Sequence, residues 1–531
     1  MPEIRGAWRC VLVLVSLAAG TPALSAQLTD VTQAPNAANA GIKKSLLDQM
    51  GPGRGDDLTA GTSLYLIRRD PFRSIMRGRQ IFQRKFTVAE GNGPRTGDGL
   101  GDIEQDGSIG AGLVDSCAGC HARPFGSAGF GGNVFTRPTS RDAPHLFGLG
   151  LQEMLADEIT AELRAIRDQA VQSAQTQGTN VTLPLVGKGI GYGFVTGRPN
   201  GTADTSLAEG VDADLRVRPF FAQGGTISIR EFLVGAFNAE MGLESPDPDL
   251  AAAAAGADVT TPAGMRLTGS VDAIEAPPAA HAFADPDGDG VVNEIPASIV
   301  DHLELYLLNY FKPALGEQNV QTKLGRKLFA KIGCVDCHVP NLTIDVDRRV
   351  ADLETVHDPA AANGYTNQLF ATAAPLFAEV DDGQGLPALK VPLGDSFVVK
   401  NIFTDFKRHD LGPLFHEENF DGTRQTQFMT EPLWGVGSTP PYGHDGRSAT
   451  LRDVILRHGG AAQAQRNKFV ALNAIFEDAL IAFLESLVLF APPDTASNLD
   501  PAQKSHPDFP FAGTTGSVDL SVLFVDSLDK E

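Results

Sequence analysis

The sequence predicts a mainly α protein: two helical domains related by internal duplication, each with long loop insertions. Three observations predict it. A C-x-x-C-H motif occurs twice, first as Cys117, Cys120 and His121, then as Cys334, Cys337 and His338. Segments around the two motifs resemble one another in the same order along the chain. Each half also closes on a strongly apolar helical stretch, VDHLELYLLNYFKP at 300–313 and FEDALIAFLESLVLFAPP at 476–493.

A chain of 531 residues is too long for one compact core, which argues for two domains. Hydrophobic residues at 42% and charged residues at 20% are a globular balance, and 57 glycines and 34 prolines leave room for long loops. The net charge of −22 argues against nucleic acid and anionic membrane surfaces as partners.

Residues 1–26 read as a secretory signal peptide. Arg5 and Arg9 precede an apolar run from Cys10 to Ala19, and small residues surround a cleavage point near Ser25 and Ala26. The alternative is a buried N-terminal helix; the run is too short to span a membrane. No later segment is a membrane-span candidate, so the expected location is periplasmic or secreted. Cys10 is then lost, and the four remaining cysteines are those of the two motifs.

C-x-x-C-H is the attachment signal of c-type haem: both thiols bond covalently to the porphyrin and the adjacent histidine becomes an iron ligand. A four-cysteine zinc site would not require a histidine after each pair. A thioredoxin-like pair would open a helix after a strand and would not occur twice. Two local disulfides would leave the histidines without a role. The expectation is two covalently bound c-type haems, with Cys117, Cys120, Cys334 and Cys337 as tethers and His121 and His338 as proximal ligands.

The duplication is read from paired segments. GRQIFQRKF (78–86) matches GRKLFAKIG (325–333), PHLFGLG (144–150) matches PLWGVG (432–437), and SIREFLVGAF (228–237) matches TLRDVILRHGG (450–460). Pro313 and Gly316 interrupt the helical pattern between the halves. The expected domains are residues 27–315 and 316–531.

The last pair of segments is the most informative. Each opens on a capping box, Ser228 with Glu231 and Thr450 with Asp453, and each carries apolar residues at i, i+3 and i+4. The next position on that stripe is His458 in the second copy and Ala236 in the first. A histidine there is either a satisfied core residue or a distal ligand of the second haem. In the first copy, Glu240 falls eleven residues after Ile229, at nearly the same angle. It faces the haem side if the helix continues, and is solvated if the helix stops near Asn238.

Taken together, these segments resemble the bacterial di-haem cytochrome c peroxidase superfamily, and within it the di-haem oxidoreductase family. The resemblance rests on the two C-x-x-C-H motifs, GAFNAEMGL (235–243), EPLWGVG (431–437), PPYGHDGRSATL (440–451) and RHGG (457–460). It implies peroxide chemistry at the N-terminal haem, with Glu240 of an E-M-G motif as catalytic acid–base group, and electron transfer at the C-terminal haem with His458 as its distal ligand. Many relatives place a tryptophan between the haems; RVRPFFAQGG (216–225) has none here, and Trp434 is the only tryptophan after the signal segment. Some relatives carry a distal histidine on the peroxidatic haem, for which His145 is the candidate here, although its alignment with Pro432 favours a proximal loop.

DPDGDGVVNE (285–294) sets Asp285, Asp287 and Asp289 at alternate positions, followed by Gly290 and Glu294. That resembles the first half of a calcium loop. The position an EF-hand gives to its closing glutamate is Pro296, so Glu294 would have to close the site; otherwise the segment is a solvated Asp-Gly turn. The Gly/Asp-rich stretch 97–107 reads as loop, and His409, His416 and His444 read as polar packing residues.

The expected function is an exported di-haem peroxidase reducing hydrogen peroxide, fed by a small electron-donor protein such as a cytochrome or cupredoxin. The alternatives are a dioxygenase or protein-modifying oxidase on the same scaffold, acting with dioxygen, and a di-haem electron carrier without catalysis.

Overall fold

The computed structural model describes residues 46–84, 86, 116–117, 121, 143–310, 313, 315–316, 318–357, 367–419 and 422–489, with two short strands at 29–30 and 516–519. The segment 1–26, Cys120 and the stretch 97–107 lie outside the described residues.

Eleven helices are described: α1 (Leu46–Met50), α2 (Ser63–Arg69), α3 (Pro71–Gln83), α4 (Leu149–Gln177), α5 (Ile229–Met241), α6 (Pro248–Ala254), α7 (Ala297–Leu308), α8 (Val320–Lys331), α9 (Leu451–Arg457), α10 (Gln463–Val470) and α11 (Ala474–Glu485). The expected caps of α5 and α9 are present: Ser228 accepts the Glu231 N–H and Thr450 accepts that of Asp453.

The expectation of a mainly α chain built by duplication is corrected by this structure. Helix is 37% and strand 15%, with strands in several small sheets, and no repeated domain is shown. The described strands form one sheet of four, one of three and five of two. The strands arise in segments taken as loop insertions. Val181–Gly187 and Ile190–Gly197 form a hairpin through Lys188 (φ 48°) and Gly189 (φ 80°), a left-handed pair that matches the strand twist. Ile190, Tyr192 and Val195 bury themselves from one side of it against α4. Apparently matched segments also diverge: 144–150 runs into the 29-residue helix α4, whereas 432–437 leads only into a single 3-10 turn, Val436–Ser438.

Helix α7 is buried on all sides, and α3 and α5 pack against it. Ile299, Val300, Leu303 and Leu307 are fully enclosed, each stabilising the fold by roughly 1.5–3 kcal/mol relative to exposure. Arg230 of α5 is also fully buried. It donates to Asp301 (2.9 Å) and Glu304 (2.8 Å) of α7 and to Asp247 (2.9 Å). Removing one member would strand a buried charge, at a cost of about 3–5 kcal/mol. The orientation of α5 is therefore set by α7. Around the second motif, α8 packs on α11 through Leu328, Phe329, Leu480 and Phe483.

Candidate functional site

A single cavity of about 490 Å³ is lined from both C-x-x-C-H regions, by Cys117 and His121 and by Cys334, Cys337 and His338. Glu240 and His458 line it as well.

At the first region, Cys117 is half-buried against the core of α3, α5 and α7. His121 donates Nδ1–H to the Pro144 carbonyl at 2.8 Å, and its ring meets the Phe232 ring edge-on at 6.4 Å. Burial lowers its pKa. Helix α5 does not stop at Asn238. It continues to Met241 and closes on Gly242 (φ 67°), whose N–H bonds to Asn238 O while Leu243 N–H bonds to Phe237 O. Glu240 thus lies in the last helical turn, half-buried on the cavity wall beside Phe237 and Ala236.

At the second region, α8 ends and Gly333 takes a left-handed turn (φ 94°) that a side chain would strain. Cys334–Asp336 form one 3-10 turn, and His338 N–H bonds to Cys334 O at 2.9 Å. His338 donates Nδ1–H to the Phe403 carbonyl at 3.1 Å. Phe403 is fully buried and held at φ 56°, a strained conformation that aims this carbonyl. Burial, and then His458, lower the His338 pKa to about 4. Burial pushes the Cys334 thiol up to about 12, which does not suit a reactive redox thiolate.

Helix α9 ends at Arg457, so His458 is its C-cap and not its eighth residue. Its Nδ1–H goes to Val454 O at 2.7 Å, its ring packs edge-on against Phe415 at 5.3 Å, and burial lowers its pKa.

His121, His338 and His458 therefore share one chemical state. A carbonyl only accepts, so Nδ1 carries the proton and Nε2 the lone pair, the tautomer in which a histidine ligates a metal. The other histidines on the cavity wall differ. His145 is used on both nitrogens, donating Nε2–H to Trp434 O (3.1 Å) and accepting Phe147 N–H at Nδ1 (3.2 Å), and burial lowers its pKa to about 4. His409 bonds through Nε2 to the buried Asp405 at 2.8 Å. Burial opposes its protonation, but Asp405 and Cys337 outweigh that and raise its pKa to about 9. His444 stacks on Phe428 at 4.0 Å. His416, which is not among the lining residues, bonds to Asp410 at 2.8 Å.

The thiols and the three Nε2 lone pairs along this cavity fit the donor sets of two haem groups. Cys117 and His121, with Cys120 outside the described residues, would hold one; Cys334, Cys337, His338 and His458 would hold the other. Trp434 also lines this cavity. It is 4% exposed, its indole N–H has no hydrogen-bond partner, and its ring lies so close to Gly148 (φ 72°) that a Cβ there would sit 2.5 Å away. Sequence reasoning missed the Pro144 and Phe403 carbonyls, because any residue type supplies a carbonyl. The outlying acids converge too: one oxygen from each of Asp285, Asp287 and Asp289 lie within 4.8 Å of one another, and Asp287 makes a second such group with Glu294 and Glu244.

This arrangement defines a candidate redox centre of the haem-protein class. Residues 392–487 match the model of the family described as "Di-haem oxidoreductase, putative peroxidase", and the match supports the di-haem oxidoreductase family for this chain. The matched segment includes Trp434 and His458 but neither C-x-x-C-H motif, both of which lie before it. No curated protein matches. Among solved structures, Kuenenia stuttgartiensis hydrazine synthase pressurised with 20 bar xenon is 16% identical, over 36% of this chain and 55% of that chain, at a TM-score of 0.21. The alignment thus spans about half the length of that chain, and the TM-score is too low to place the fold. Among the described residues, no helix is long and apolar enough to cross a membrane.

Proposed function

We propose that the protein is an exported di-haem peroxidase. The centre at Cys117, Cys120 and His121 would reduce hydrogen peroxide, and the centre at Cys334, Cys337, His338 and His458 would pass the electrons. The observation that carries this is an asymmetry on the cavity wall: a correctly tautomerised second histidine, His458, joins His338 there, whereas α5 contributes Glu240 to the first side.

When bound, the haem iron supplies electrons and a Lewis acid for O–O cleavage. The chain's own part is positional and protonic. Glu240 takes the proton from one peroxide oxygen at its carboxylate and returns it to the departing oxygen, so that two electrons and two further protons complete two waters. Phe232 and Phe237 make the wall beside it apolar. The Pro144 and Phe403 carbonyls hold His121 and His338 with Nε2 unprotonated. The acidic chain suits a basic donor protein such as a small cytochrome or cupredoxin.

The test is steady-state peroxide turnover with a reduced small cytochrome. Glu240→Gln should lower kcat at least about 100-fold with haem content and spectrum unchanged. Unaltered turnover removes Glu240 from the mechanism. A second reading, chemistry with dioxygen, is favoured by an aromatic wall in which the Phe220 and Phe221 rings lie 6.0 and 5.4 Å from that of Phe232. It requires oxygen uptake without an external donor, which an oxygen electrode reads with the cytochrome and the peroxide left out.

A further inference from the structure

We infer that the loop 285–294 and Glu244 together form a calcium site that ties the exit of α5 to the entry of α7. Two groups of converging oxygens share Asp287: Asp285, Asp287 and Asp289 on the exposed side, and Asp287, Glu244 and Glu294 on the buried side. Glu244 is invisible to a local motif search, since it lies fifty residues upstream of Glu294.

An acidic cluster alone would be a solvated turn. Glu294 is the observation that points to a ligand. It is 2% exposed, and its Oε1 has no hydrogen-bond partner. Its Oε2 is already committed, accepting the Glu244 N–H at 2.5 Å. A buried carboxylate oxygen without a donor, facing two further carboxylates, is costly unless a proton or a cation joins it, and a cation relieves all three carboxylates at once. The donor set is all oxygen, with no histidine or cysteine, which selects a hard cation. Five side-chain carboxylates drawn partly from a Gly-rich loop suit the six to eight ligands of Ca²⁺ better than the small, water-retaining octahedron of Mg²⁺.

The surrounding backbone is stitched across the same junction. Ile295 N–H bonds to Glu244 O at 3.0 Å and Ser245 Oγ donates to Ile295 O at 2.9 Å. Glu244 follows the Gly242 cap of α5 by two residues, and Glu294 precedes the first residue of α7 by three. A cation bound there closes the strap between the two helices that Arg230 already joins. This is independent of the chemistry proposed for the cavity.

The haem-loaded protein, stripped with EDTA and dialysed, would be titrated with calcium or magnesium chloride by calorimetry, with melting temperature and bound metal measured in parallel. Calcium should bind in the range of extracellular modules, about 0.1–1 mM or tighter, raise the melting temperature saturably and protect the amides of 243–245 and 294–296 from exchange. Magnesium should do less. Glu294→Gln should be more stable than the parent in EDTA and less stable in calcium, with affinity weakened at least about tenfold. Asp289→Asn, at an exposed position, should weaken binding without loss of fold. No calcium heat and no retained metal in the parent protein would overturn the site, as would parental affinity in both Asp289→Asn and Glu244→Gln.

Discussion

Helices α5 and α9 begin alike and end differently. Each starts on a hydroxyl cap, Ser228 or Thr450, and turns side chains to the same cavity. Helix α9 stops after seven residues and leaves His458 as its cap, with Nδ1 tied to Val454 O. Helix α5 continues for thirteen, passes Ala236 and reaches the cavity with Glu240. A difference of about one and a half turns in where a helix ends substitutes a carboxylate for an imidazole lone pair. One side gains a group that can move a proton, the other a group that can saturate a metal.

The largest effect expected from breaking this contrast is at Glu240: the Glu240→Gln loss of at least about 100-fold in peroxide turnover should leave the second centre's spectrum untouched. Next, His458→Gly should make the second centre resemble the first, converting one haem per chain to a high-spin signal in the ferric spectrum. An unchanged spectrum would show that His458 is not a ligand.

The helical supports should also separate with pH. In the first region, His302 of α7 is fully buried against Ser74 of α3, with Nδ1 2.8 Å from the hydroxyl. Burial, and then Arg77, lower its pKa to about 3. The unfolded chain protonates this histidine near its ordinary value of about 6.5, so the unfolded state binds more protons between about 6.5 and 3. Stability is therefore lost as pH falls through that window, by about 2 kcal/mol at pH 5. His302→Asn should flatten that slope in melting temperatures measured from pH 7 to 5. The crossing of α8 and α11, built from Leu328, Phe329, Leu480 and Phe483, has no such group among these residues.

The smallest effect on activity, felt in stability alone, is expected at the cavity wall. Gly148→Ala places a Cβ against the Trp434 ring from a left-handed backbone, and should cost about 1–3 kcal/mol in denaturant unfolding. It should also shift Trp434 fluorescence. An unchanged emission would mean that the indole is not held there.

Much of the candidate site was legible because its chemistry is local. Two thiols and an imidazole within five residues specify their own cofactor class, and Ser228 and Thr450 announce where two helices begin. The ends of those helices were less legible. Nothing in the 3.6-residue period says that α9 stops before His458 or that α5 runs past Asn238. The hairpin at 181–197 was less legible still, because its two short strands lie between matched helical segments and are held by a turn at Lys188 and Gly189 and by packing on α4, and such strands overturn the expectation of a mainly α, duplicated fold.

Sequence by itself determined the motifs, their tautomer-capable histidines, the caps and the alternating aspartates, since each depends on neighbours a few residues apart. Tertiary structure decided which of these meet. The carbonyl that orients His338 comes from Phe403, 65 residues away, and the carboxylate that completes the acidic loop comes from Glu244, 50 residues away. Convergence of that kind depends on buried helices, above all α7 with its Arg230 partners, which bring distant segments together at distances no local pattern encodes.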